Sequence, residues 1–300
     1  MVRGISVARL LSAAVLSSLS CVTLSAEGPA NPPMVFNSGF ETGDLSNWGV
    51  SGSAPQVQTT LVREGRYAIK SVVDRYDTSQ KVNYRTEVVP RIGDISPTTT
   101  EDVWTNLDMW YGFSVYLPTS HTSDRGYEIV AQWHDVPDPN EPSRNPIVAF
   151  WVNNNVWSVS NIWDADPMTT YTVDSNGGKD WSYDGKWSYQ MGSIELGKWT
   201  DFVVHVRWSW TNTGVLQIWK NGVLMVDQQN KPNCFNDQKM PFFKMGMYKG
   251  WVDDVGAATK REVYHDAFKM AVGPGVTYKD VAPGGGTIKA PAAPTSLQVK

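Results

Sequence analysis

From Gln56 onward, apolar and polar residues alternate in short runs separated by turn clusters, and no long stretch carries a 3.6-residue period. The alternation predicts strands at Tyr67–Val73, Val82–Val89, Trp110–Leu117, Tyr127–His134, Ile147–Val152 and Trp157–Ile162. It continues at Phe202–Trp210, Val215–Lys220, Val223–Asp227, Phe242–Tyr248 and Val263–Ala271. A shorter strand near Phe36 precedes a polar turn at Gly43 to Asn47. Lys220-Asn221-Gly222 joins two strands, and Asn-Gly readily adopts the positive φ angles of a type I′ hairpin. So many short strands in about 250 residues predict an all-β fold, a two-sheet β-sandwich of jelly-roll type with a concave groove. A propeller would need a repeat of about 45 residues, and none is visible.

The ends read differently. Arg3 and Arg9 precede the apolar run Leu10 to Leu19, and Leu24-Ser25-Ala26 is an acceptable cleavage site, so residues 1–26 read as a secretory signal peptide. Ser18-Leu19-Ser20 makes a poor lipobox before Cys21, so a lipid anchor there is disfavoured and secretion is expected. No later run is long and apolar enough to span a bilayer, and no membrane partner is expected. Gly and Pro dominate from Pro283 on, so residues 27–282 are expected to form the domain and 283–300 a linker or the start of another module.

Composition narrows the choice of partner. Without residues 1–26 the chain carries 24 basic and 30 acidic side chains, a net charge of −6, which argues against nucleic acid. Only Cys234 then remains, so no intrachain disulfide can form and packing must hold the fold. The 14 Trp and 12 Tyr are a heavy load, of which many must serve the core, but aromatic faces are also what sugar-binding clefts use to stack on pyranose rings. A monomer is expected.

Three stretches carry candidate chemistry. In Tyr127–His134, alternation sets Glu128, Val130, Gln132 and His134 on one face and Ile129, Ala131 and Trp133 on the other. Gln132 and His134, about 7 Å apart along such a strand, fill a core poorly because both need hydrogen-bond partners. Asn83, Arg85 and Glu87 share a face of the second stretch, with Arg91 beyond Pro90. Lys244, Gly246 and Tyr248 share a face of the third, where Gly246 would leave room for a sugar chain to approach the backbone.

Such a set suits proton abstraction beside a carboxylate. Removing the C5 proton of a uronate requires its carboxylate to be neutralised, and preorganised donors at a developing oxyanion are often the largest catalytic contribution. Arg85 can hold a carboxylate through two parallel hydrogen bonds, with Gln132 and Asn83 as neutral donors. His134 or Tyr248 would act as base, and Tyr248 beside Lys244 as acid. His205 and Arg207 share a strand face and would extend the groove. Glu41 and Asp44, joined by Asp266 from the last strand, are the candidate ligands of a structural Ca²⁺; the chemistry itself needs no cofactor. A glycoside hydrolase would need a facing pair of carboxylates about 5–10 Å apart, which no strand supplies.

Arg85-Thr86-Glu87, then Gln132-Trp133-His134, then Phe242-Phe243-Lys244-Met245-Gly246-Met247-Tyr248, in this order, resembles the β-jelly-roll polysaccharide lyases. That group includes family 7 alginate lyases, family 20 glucuronan lyases and heparin lyase I, and the wording around Gln132 is most similar to the latter two. The resemblance, over roughly residues 35–272, implies β-elimination on an acidic polysaccharide, glucuronan foremost. It also implies a sheet lined by Arg85, Gln132, His134, Lys244 and Tyr248, with Tyr248 as the acid. Val89 stands where the alginate enzymes usually carry a second Arg, which weakens alginate as the substrate. A binding module without catalysis, or a lyase of alginate, heparin-type or ulvan-type chains, are the alternatives.

Overall fold

The computed structural model of the chain describes residues 34–77, 84–92, 107–251, 259–286, 288–289 and 298–299. The leader, Cys21 and Asn83 lie outside the described residues. Two antiparallel sheets pack face to face as the jelly-roll sandwich that the alternation predicts. The first orders β15 (Val223–Gln229), β14 (Val215–Lys220), β13 (Trp199–Arg207), β6 (Met109–Tyr116), β17 (Lys260–Val272), β4 (Ala68–Asp74) and β3 (Gln56–Gln58). Strand β1 (Met34–Ser38) also pairs with β17, so the first and last long strands of this sheet meet. The second orders β18 (Gln298–Val299), β12 (Gly185–Ser193), β9 (Val156–Trp163), β8 (Val148–Asn153), β7 (Glu128–His134), β16 (Phe242–Lys249), β5 (Arg85–Pro90) and β2 (Trp48–Gly52). A separate hairpin, β10 (Tyr171–Val173) and β11 (Lys179–Trp181), joins neither sheet.

The core lies between the sheets and is largely aromatic. Trp133 and Phe243 of the second sheet meet at 4.8 Å, and Phe243 stacks on Phe268 of the first at 4.9 Å. Phe113 and Phe202 close it from β6 and β13 at 5.5 Å. Each such side chain, fully withdrawn from water, contributes about 2–3 kcal/mol. Among the described residues Cys234 is a free thiol; it is buried, and burial pushes its pKa up. At the β14–β15 turn, Asn221 and Gly222 take φ of 50° and 82°, the type I′ geometry that fits the twist of the strands.

Two departures from simple alternation shape the second sheet. Against β8, the register of β7 slips between Ile129 and Ala131, a bulge at Val130. Val130 and Ala131 therefore both enter the core, Ile129 turns to the outer face, and Glu128 turns inward. The predicted alignment of Glu128 and Val130 with Gln132 and His134 is thus broken by one inserted residue. A second slip, in β16 against β7 between Met245 and Tyr248, contains Gly246 at φ 148°. A Cβ there would sit 2.1 Å from the Thr86 carbonyl oxygen. Gly246 is therefore required by the close approach of β5.

The outer face of the first sheet is covered by the short helix α1 (Tyr278–Val281), which packs on Val203, Trp219 and Ala271. A Cβ on Gly112 would lie 1.8 Å from the Val281 carbonyl oxygen, so the helix rests directly on β6. Contacts with the sandwich run past residue 282: Pro283 is buried, and the Lys289 amide donates to the Gly222 carbonyl at 2.7 Å.

Candidate active site

A groove with a cavity of about 760 Å³ runs over the outer face of the second sheet. Its floor crosses β5, β16, β7, β8 and β9, and Arg85, Gln132, His134, Lys244 and Tyr248 all line it. Strand register explains the convergence. Arg85 pairs with Tyr248 and Glu87 with Gly246 across β5–β16, while Lys244 pairs with Gln132 and Phe242 with His134 across β16–β7. Three segments distant in sequence thus become neighbouring strands.

Glu87 is the hub of one half of the floor. It is buried, accepts a hydrogen bond from Gln132 Nε2, and lies 3.0 Å from Arg85 Nε. The Arg85 guanidinium in turn sits over the Tyr248 ring, 4.3 Å from its centroid. Arg85 and Gln132 are therefore partly committed to Glu87, which fixes them and spends part of their donor capacity. Lys244 is different. It is buried, no carboxylate among the described residues lies within ion-pair distance of it, its ammonium lies 5.2 Å from the centroid of the Phe242 ring, and burial lowers its pKa despite the pull of Glu87. By contrast Arg144, Lys249 and Arg261, also buried, each contact carboxylates at 2.5–2.9 Å.

The other half of the floor holds the imidazole. His134 Nδ1 lies 2.5 Å from Asp135 Oδ1, which leaves Nε2 toward the groove. A carboxylate at Nδ1 favours the tautomer with the proton there and a free lone pair on Nε2. Asp135 Oδ2 accepts from Arg144 Nε at 2.9 Å, and Arg144 also donates to Glu141 at 2.7 Å and Asp237 at 2.5 Å. Burial pushes Asp135 upward, but His134 and Arg144 more than offset this and hold it below the usual carboxylate range. Asp237 goes the other way: burial, helped by the charges of Asp135 and Glu141, raises it to about 7 against the pull of Arg144.

Several groove residues were not anticipated. Tyr127 places its hydroxyl 3.4 Å from that of Tyr248, and burial followed by this neighbour raises the pKa of the Tyr127 phenol. Trp151 and Ile129 give an apolar stretch of floor, and Ser143 to Pro146 form a rim. Asp135 follows His134 directly and was legible in principle. Arg144 reaches it from a separate loop that no periodic pattern marks.

Other candidates fall outside the groove. His205 and Arg207 lie on β13, in the opposite sheet, because β13 pairs with β6 and β14 there. His205 stacks on Trp110 at 4.1 Å and bonds Gln217 and Asp108, and Arg207 bonds Asp108 at 2.7 Å. Arg91, past the end of β5, is exposed and not among the groove residues; its amide donates to the Asn47 carbonyl. Of the metal candidates, Asp44 is exposed and bonds Ser46 within its own turn at 2.6 Å. Glu41 and Asp266 do approach each other: both carboxylates face Gly39, and burial with the charge of Glu41 among its causes raises Asp266 to about 6. Their oxygens accept the backbone amides of Arg63, Glu64, Arg66 and Tyr67. Among the described residues, no group of three or more acidic, His or Cys side chains is placed to hold a metal ion.

The fold and groove define a jelly-roll β-sandwich protein whose groove floor holds cations, an imidazole and phenols. The family model described as polysaccharide lyase matches residues 40–269, and the chain belongs to that family. It is a polysaccharide lyase. Its fold is similar to that of the endo-β-1,4-glucuronan lyase of the fungus Trichoderma reesei, with a TM-score of 0.64 and 20% identity over 84% of this chain and 99% of that one. More distant likenesses include the family 7 alginate lyase A1-II′ (TM-score 0.45, 13% identity, 82% and 97% covered) and the alginate lyase AlyC3 (0.45, 14%, 68% and 75%). The search of curated proteins gave no match.

Proposed function

We propose that the enzyme cleaves 1,4-linked uronic-acid polymers, glucuronan foremost, by β-elimination, as a secreted monomer. The observation that carries this reading is Lys244, a buried ammonium in the groove with no carboxylate among the described residues at ion-pair distance, in a lining shared with an imidazole whose Nδ1 is held by Asp135. A buried, unpaired charge is costly unless a ligand completes it, and a uronate carboxylate is such a ligand.

The carboxylate is taken up by Lys244 with the remaining donors of Gln132 and Arg85. Its neutralisation lets C5 lose a proton, and His134 Nε2 accepts that proton while Asp135 stabilises the imidazolium. The electron pair left on C5 forms the C4–C5 double bond, the C4–O4 bond breaks, and Tyr248 protonates O4. Arg85 over its ring and Tyr127 at its hydroxyl hold the phenol in place. Glucuronan is favoured by the Val89 position and by the substrate named for the Trichoderma structure.

A panel of glucuronan, alginate, heparin and ulvan, read by the ultraviolet absorbance of the unsaturated end and by product mass, tests this. Unsaturated oligosaccharides from glucuronan are expected; none from any of the four overturns the reading. A structural Ca²⁺ is not part of this proposal, because the Glu41 and Asp266 oxygens already accept backbone amides, and EDTA should leave the melting temperature unchanged.

A further inference from the structure

The β10–β11 hairpin, separate from both sheets, carries an unusual surface. Register pairs Tyr171 with Trp181 and Val173 with Lys179, so these four share one face, while Thr172 and Asp180 take the other. Tyr171 and Val173 are exposed, at 38% and 63%. The Tyr171 and Trp181 rings meet at 4.8 Å, and the Lys179 ammonium lies over both, 4.7 and 5.2 Å from their centroids. Asp174 is taken up inside the hairpin turn, accepting the amides of Asn176 and Gly178 at 2.8 Å.

This face is linked to the groove rim by contacts. Trp181 stacks on Tyr183 (6.0 Å, 12°), and Tyr183 stacks on Phe235 (5.5 Å, 19°), over which the Arg144 guanidinium lies at 4.1 Å. The Tyr183 hydroxyl accepts the amide of Asn145, a groove-rim residue, at 3.4 Å. Tyr183 therefore joins the rim to the hairpin, which ends in the exposed Tyr171 ring, the half-buried Trp181 ring and one cation.

We propose that the hairpin face of Tyr171, Trp181 and Lys179 is a distal binding site for the acidic polysaccharide. It would hold sugar residues that extend beyond the groove, with the rings stacking on pyranose faces and Lys179 pairing with a uronate carboxylate. The partner class rests on the substrate reading above; the chemistry of the face, rings plus a cation, fits a uronan better than a neutral glucan.

The test compares the wild type with Trp181→Ala and the milder Lys179→Glu, using long glucuronan and short glucuronate oligosaccharides. The KM for the long polymer should rise roughly three- to tenfold in each variant, with kcat and all short-oligosaccharide kinetics unchanged. Mobility in native gels cast with glucuronan or alginate gives a readout independent of turnover, and both variants should be retarded less than the wild type. Equal losses on long and short substrates, or wild-type retardation in every gel, overturn the hairpin site. A wild type that is retarded yet cleaves no uronan removes the lyase substrate reading instead, and weaker retardation of the variants then still supports the site.

Discussion

Two strands of this molecule carry nearly the same sequence signal and meet opposite fates. β7 presents Gln132 and His134 on one face, and β13 presents His205 and Arg207. Both are polar pairs two residues apart at the C-terminal end of a strand whose middle is apolar. On β13 the pair is closed from within: Asp108, Gln217 and Trp110 satisfy it at the outer surface of the first sheet. On β7 the pair opens onto a groove, where Glu87 and Asp135 hold one side of each group and leave the other toward the cavity. What separates a site from a surface cluster is not residue type but unspent hydrogen-bonding capacity facing a space that a ligand can enter.

The largest expected effect sharpens this contrast. Tyr248→Phe and His134→Ala should each lower kcat by about 10²–10⁴, since each removes a proton-transfer group, whereas His205→Ala should leave kcat within about twofold. Steady-state rates on glucuronan check this, and a comparable loss in His205→Ala would erase the distinction. Next, Lys244→Met should cut kcat/KM by about 10–100-fold while the melting temperature stays level or rises, because an unpaired buried charge is removed. A clear drop in melting temperature would mean that Lys244 serves the fold.

One carboxylate from each region should also answer pH with the opposite sign. Asp237, behind His134, is raised to about 7 in the folded state against about 3.9 unfolded, so its stabilising contribution is full below about 4 and is lost as pH rises through about 7. Asp108, beside His205 and Arg207, is lowered because those bonds outweigh burial, so its contribution is present above about 4 and is lost as pH falls. Denaturant titrations across this range should show Asp237→Asn flattening the decline toward neutral pH and Asp108→Asn flattening the acid limb. The smallest effect is expected for Arg207→Ala, about 0–1 kcal/mol by urea unfolding, since its ion pair with Asp108 is solvent-exposed.

Much of the fold was readable because a strand buried on one face must alternate, and alternation survives in a single sequence. All eleven strands predicted between Tyr67 and Ala271 correspond to observed ones, with ends shifted by a few residues. β12 was missed although Trp187, Tyr189 and Met191 alternate with exposed Lys186, Ser188 and Gln190. The β10–β11 hairpin was missed for a better reason: exposed on both strands, it carries no inside-outside pattern at all. The bulge at Val130 was equally invisible, since one extra residue leaves composition unchanged while reversing the faces of Glu128 and Ile129.

The sequence by itself determined the strand pattern, the all-β class and the residue types able to neutralise a carboxylate and move a proton. These follow from local chemistry: side-chain period, turn preference, charge and hydrogen-bonding capacity. Only the tertiary structure decided which of those residues meet. Strand order set β5, β16 and β7 side by side and sent β13 to the other sheet, and loop contacts brought Arg144 to Asp135. Such pairings depend on contacts between segments far apart in the chain, and no local pattern encodes them.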